Sequence, residues 1–193
     1  MKETYTITTS SPFIPPGPSD VWDTTDKFAA TNNFYGAQLG ARARYDADRW
    51  YGSGSLTVGL GGMVQSVDVS GSLLTNDFND FAAPKTYGGG SYALPSNIGG
   101  HSRTEFAVVP ELRLGVGYRL TPSASLYVAY DLLYASNVAR PGEQVDRNIN
   151  PTQNTAWTEE VDSVTEGTPA PTFSFDSTSF WAQGINLGLS IRF

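Results

Sequence analysis

Between Trp181 and Phe193 the chain alternates bulky apolar side chains with small or polar ones. A period of two restricts such a segment to β-strand with two unlike faces. Trp181, Ile185, Leu187, Leu189, Ile191 and Phe193 share one face, interrupted only by Gln183, while Ala182, Gly184, Asn186, Gly188, Ser190 and Arg192 share the other. Three more segments repeat the pattern. Around 104–120, Phe106, Val108, Leu112, Leu114, Val116, Tyr118 and Leu120 oppose Ala107, Glu111, Arg113, Gly115, Gly117 and Arg119. Around 124–137, Leu126, Val128, Tyr130, Leu132 and Tyr134 oppose Tyr127, Ala129, Asp131 and Ala135. Around 33–46, Tyr35, Ala37, Leu39, Ala41, Ala43 and Tyr45 oppose Gln38, Gly40, Arg42 and Arg44.

A fifth strand, about 50–70, alternates through Leu56, Val58 and Leu60 and resumes after Gly61-Gly62 as Met63, Gln65, Val67 and Val69. A glycine pair at a change of phase predicts a β-bulge. Thr4–Thr9 is a weaker sixth strand. Pro110 lacks the amide donor a ladder needs, which predicts a second bulge near the outer end of the 104–120 strand.

The connections alternate in length. Residues 46–49 and 121–123 are short turns, whereas 10–32, 71–103 and 138–178 are long and rich in Pro, Gly, Asn, Asp and Ser. Short turns at one end and long loops at the other are the pattern of an up-and-down transmembrane β-barrel, with periplasmic turns and extracellular loops. The expected fold is therefore all-β, one antiparallel barrel domain over 1–193. Six strands are legible, and about eight are needed for closure. Either two strands are concealed in the loops, with Thr172–Asp176 a candidate, or several chains complete one barrel as a homo-oligomer, or this is a piece of a larger one.

A soluble barrel also alternates, but its outer face is usually rich in Lys and Glu. Here the face opposite the aliphatics is mostly Gly, Ala, Ser and Asn, with a few charges and no lysine. Phe106 and Tyr118 are twelve residues apart on one face, as are Trp181 and Phe193, and Tyr35 and Tyr45 are ten apart. On strands tilted by about 40°, those spacings bracket an apolar band roughly 25–30 Å tall, with aromatics at its borders. The bulky face is therefore expected to meet lipid.

Composition excludes other classes. The 193 residues contain no cysteine, so neither disulfides nor thiolate metal sites are available. There is one histidine, and a formal charge of −7 argues against a nucleic-acid partner bound through a basic face. No apolar run is long enough for a transmembrane helix. Met1-Lys2 leads straight into Glu3-Thr4-Tyr5 with no visible export signal, so the natural N-terminus is expected to differ from this one.

Several stretches resemble BBP7, the beta barrel porin-7 family of planctomycete outer-membrane barrels. They are Asn33-Phe34-Tyr35-Gly36-Ala37-Gln38-Leu39-Gly40, Leu94-Pro95-Ser96-Asn97-Ile98-Gly99 and Glu105-Phe106-Ala107-Val108-Val109-Pro110-Glu111. Ser136 through Arg147, Asn150-Pro151-Thr152-Gln153 and Phe180 through Asn186 continue the likeness in order. The resemblance implies an outer-membrane location and a porin-like passage of small solutes. It implies no catalytic residues, and family members are usually longer than this chain.

The candidate lumen-facing residues are Arg42, Arg44, Glu111, Arg113, Arg119, Asp131 and Arg192. Their excess of arginine fits a basic lumen favouring small anions. The competing reading is a packed interior in which Glu111 and Asp131 neutralise their neighbours, in a closed barrel whose loops bind partners. Phe193 resembles the C-terminal signal read by the outer-membrane insertion machinery, so outer-membrane lipid and that machinery are the expected partners.

The 138–178 loop carries five net negative charges, but its spacing lacks the calcium-loop series, and a solvated acidic loop fits better. His101 could be imagined with Ser102 and Asp146 as a hydrolytic group, although a lone histidine in a polar loop is usually solvated. Gly59, Gly61, Gly62 and Gly88-Gly89-Gly90 open no helix and so make no phosphate-binding fingerprint. No cofactor, metal site or enzyme activity is expected.

Overall fold

The computed structural model describes residues 1–10, 21–76, 84–160 and 165–191. Seven strands form one antiparallel sheet: β1 (Lys2–Ser10), β2 (Trp22–Ala47), β3 (Trp50–Asn76), β4 (Pro84–Gly88), β5 (Gly99–Arg119), β6 (Ala124–Ala139) and β7 (Ser177–Ile191). The order is β1-β2-β3-β5-β6-β7, with β4 added beside β3, and the sheet is open. One helical turn and a half, α1 (Thr155–Glu160), and two 3₁₀ turns lie between β6 and β7. Thr172–Asp176 forms no strand.

The strands outrun the alternation that reveals them. Trp22–Asn32, Gly71–Asn76 and Gly99–Arg103 are strand, although all three fall in stretches expected as loops. The segment 23–31 is rich in Thr, Asp, Lys and Ala, so its two faces differ little in hydropathy. Pairing with β1 holds it, in register from Lys2↔Thr31 to Ser10↔Asp23.

The chain forms two compact units. The first holds Met1–Asn32, Gln65–Arg103 and Ala139–Ser177; the second holds Asn33–Val64, Thr104–Val138 and Thr178–Phe193. In the first, apolar side chains point inward as in a soluble protein. Phe28, Ala30, Val67, Val69, Ala93 and Ala139 form one buried cluster, with Tyr92, Val145, Phe173 and Phe175 packed against it. Leu73, Tyr87 and Ala156 form another beside Trp22. In the second unit the buried cluster is small, namely Met63, Ala107, Ala135 and Val138 with Phe34, Val109 and Phe180.

The glycine pair of β3 is not a bulge. Along β3 the odd-numbered residues are the buried ones both before and after it: Gly59 and Met63, then Gln65, Val67 and Val69. The backbone keeps its phase, and only the face that carries the apolar side chains changes. The glycine requirement comes from a close approach of strands instead. A Cβ on Gly61 would fall 2.2 Å from the carbonyl oxygen of Tyr35, and one on Gly36 would fall 2.4 Å from that of Leu60.

Near Pro110 the irregularity sits on the partner strand. The regular β5–β6 register runs from Arg119↔Ser125 to Glu111↔Leu133. Beyond it, Ser136 Oγ accepts from the Val108 amide at 2.9 Å, and Asn137, at φ 51°, donates from its side chain to the Phe106 carbonyl at 2.6 Å. Burial passes from Ala135 to Val138, a step of three, so β6 absorbs one extra residue there.

Candidate functional site

In the second unit one row of every strand is apolar and exposed. Leu39 is 82 % exposed, Leu187 79 % and Ile185 71 %, and Tyr35, Tyr45, Leu56, Leu60, Phe106, Leu114, Leu126, Trp181, Leu189 and Ile191 are exposed with them. A contiguous apolar surface of this extent on a water-soluble monomer would be unusual. Trp50 packs edge-on against Tyr118 with ring centroids 4.9 Å apart, next to the turn that joins β2 and β3.

The inner row is built differently. Three aromatic rings of this row lie over glycines of neighbouring strands. A Cβ at Gly117 would meet the Tyr51 ring at 2.1 Å, one at Gly188 would meet the Tyr127 ring at 2.3 Å, and one at Gly59 would meet the Phe34 ring at 3.1 Å. Each glycine leaves the space in which a flat ring can cover the neighbouring backbone.

The charged residues fall on the same row as these rings. Arg113 and Asp131 are register partners on β5 and β6 and form an ion pair through Arg113 Nε. Asp131 also accepts from Asn186 Nδ2 at 2.6 Å, which ties β7 to the pair. Arg42, Glu111, Arg113 and Asp131 line one open groove of about 460 Å³, to which Leu112, Leu132 and Gln183 of the aliphatic row also contribute. Arg42 makes no ion pair among the described residues.

Arg44 and Arg119 gather at the turn instead. Arg44 Nε donates to Asp46 at 2.8 Å, Arg119 pairs with the same carboxylate, and Arg119 also donates to the Asp48 carbonyl at 2.6 Å. The Arg119 guanidinium lies 5.2 Å from the Tyr51 ring centre. Asp46 was not singled out in the sequence because it falls in the turn, yet it anchors two of the seven candidates. Arg192 and Phe193 lie outside the described residues.

In the first unit the long 138–178 connection folds on itself. Asp146 Oδ2 accepts from the Thr172 amide at 2.9 Å, and its Oδ1 accepts from the Asn148 amide at 2.9 Å. These amides hold the Asp146 carboxyl below the usual carboxylate range, Thr172 contributing most. Gln144 bonds the backbone of Asp176 in both directions, at 2.7 and 3.2 Å. Arg140 pairs with Glu3 of β1 at 3.3 Å.

His101, Ser102 and Asp146 are each engaged elsewhere. The His101 ring stacks on Phe173, centroids 3.6 Å apart, and Ser102 Oγ donates to the Gln65 carbonyl at 3.1 Å. Among the described residues no cluster of His, Asp or Glu could hold a metal ion, and no helix is long and apolar enough to cross a membrane.

An antiparallel sheet with an aliphatic row on one face and a glycine-rich, sparsely charged row on the other is built as the strands of a β-barrel are. The family model "Putative beta barrel porin-7 (BBP7)" matches residues 1–193, and the chain belongs to that family. No curated protein and no solved structure matches it.

Proposed function

We propose that the chain forms wall strands of a bacterial outer-membrane β-barrel that passes small solutes in the manner of a porin. The exposed aliphatic row of the second unit supports this reading, because contact with hydrocarbon makes so many exposed Leu and Ile side chains favourable. Outer-membrane lipid is then the partner of that face, the 46–49 and 121–123 turns lie on the periplasmic side, and the inner row with Arg42, Arg113 and Asp131 lines the lumen.

Strand direction adds a condition. In the second unit β2, β3, β5, β6 and β7 are five successive antiparallel neighbours, so β2 and β7 run the same way. An antiparallel ring needs an even count, so closure takes an odd number of further strands, three to reach the minimum of eight. Lipid does not tolerate the open edges that remain without them.

A second reading, a closed structural barrel whose loops bind partners, is favoured by the Arg113–Asp131 pair and by the rings laid over Gly117 and Gly188. Planar-bilayer recording on the protein reconstituted with lipid separates the two. Stepwise conductance is expected for the porin reading. Stable insertion with no conductance, at any potential or salt, would replace it with the closed barrel.

A further inference from the structure

Asp26 is completely buried on β2, and its carboxylate takes three successive backbone amides from one loop. Ser91 donates to Oδ2 at 3.0 Å, and Tyr92 and Ala93 donate to Oδ1 at 3.1 and 2.8 Å. Thr24, one turn of the pleat away, shares a hydroxyl contact of 3.1 Å with Ser91. The loop is shaped to receive the carboxylate: a Cβ on Gly90 would fall 2.3 Å from Asp26 Oδ1, so only glycine fits.

The loop is also closed on itself and lies inside. Asn97 accepts from the Leu94 amide at 2.8 Å and donates to the Tyr92 carbonyl at 2.9 Å. Ala93, Leu94 and Asn97 are buried, and Ala93 joins Phe28, Ala30, Val67 and Val69 in the core of the first unit. A connection between strands normally runs over the surface, where water satisfies its backbone. This one satisfies part of its backbone with a side-chain carboxylate and packs Ala93 against the core residues of β2 and β3.

We propose that Gly89–Ile98 is an internal plug, latched by the Asp26 carboxylate, whose release opens the interior of the first unit to solute. The inference rests on the porin reading. The latch acts through the shape of the carboxyl group and its two acceptor oxygens, which between them take all three amides. Asp26→Asn keeps the shape and one acceptor oxygen, and Asp26→Ala removes both.

The chain has no cysteine, so one introduced probe reports cleanly. In the reconstituted protein, Ala93→Cys is expected to resist a maleimide, to react several-fold faster with Asp26→Asn, and more than tenfold faster with Asp26→Ala. Slow labelling in all three backgrounds overturns the latch, and the Asn variant decides if the Ala variant does not fold. Single-channel conductance is expected to rise in the Asp26 variants along with labelling. Faster labelling with unchanged conductance overturns the plug, whereas faster labelling of a protein that never conducts leaves the latch standing and overturns the porin reading with the plug.

Discussion

The Tyr127 ring of β6 occupies the space above Gly188 of β7, close enough that a Cβ there would lie 2.3 Å from it. Tyr127 is also the register partner of Gly117, which carries the Tyr51 ring of β3. A glycine and a ring thus interlock at successive strand pairs, and the contact fixes both spacing and register.

Replacing Gly188 by Val is therefore expected to cost about 1–3 kcal/mol, the usual penalty of overpacking. Tyr127→Ser should recover much of the loss in the double variant, because it removes the atoms that clash. Urea titration of the lipid-refolded protein, followed by tryptophan fluorescence, measures both. Equal losses in the single and double variants would show that the ring is not the obstacle.

The outer row can be tested by charge. Leu187→Arg places a guanidinium on the lipid face, for which about 2–4 kcal/mol is expected near the bilayer midplane. Ala182→Arg, on the opposite row of the same strand, is expected to cost under about 0.5 kcal/mol. The ratio of folded to unfolded protein in vesicles reads the difference, and equal costs would argue against a lipid-facing row.

Selectivity should follow Arg42 more than the other arginines, because Arg113 is paired with Asp131, and Arg44 and Arg119 are held at the turn by their shared Asp46. Arg42→Glu is expected to move the reversal potential in a salt gradient toward cation preference. Asp131→Asn is expected to move it the other way by freeing Arg113. A reversal potential that ignores both places these residues away from the solute path.

The Asp146 carboxyl has a lowered pKa in the folded loop, through the Thr172 and Asn148 amides. Such a group contributes stability above its unfolded value, and the contribution is lost as pH falls through the folded one. Proteolysis of the 138–178 loop is thus expected to accelerate below about pH 4, near the unfolded aspartate value. Asp146→Asn should be cleaved faster at neutral pH and show a flatter pH profile. An unchanged profile would remove Asp146 from the set of groups that order the loop.

Much of the wall was legible because the two faces of a barrel strand differ sharply in size and polarity. The alternation of β7, of 104–120 in β5 and of 124–135 in β6 marks each strand and assigns each side chain to a row. The pairing of Arg113 with Asp131 was foreshadowed only as composition, since register between strands is a tertiary fact. Asp26 escaped notice because an aspartate in a stretch of Thr, Asp and Ala looks solvated, and its three amide donors come from residues sixty-five to sixty-seven positions later.

The sequence by itself determined the class of fold and the division of each strand into two unlike rows, because a period of two needs no partner to be read. It placed Leu39, Leu187 and Ile185 on the apolar row and Arg42, Arg113 and Asp131 on the other. Only the tertiary structure decided that the Gly61-Gly62 pair marks a close strand approach rather than a bulge, and that a loop turns inward onto Asp26. Both outcomes depend on distances between segments far apart in the chain, and local alternation carries no record of them.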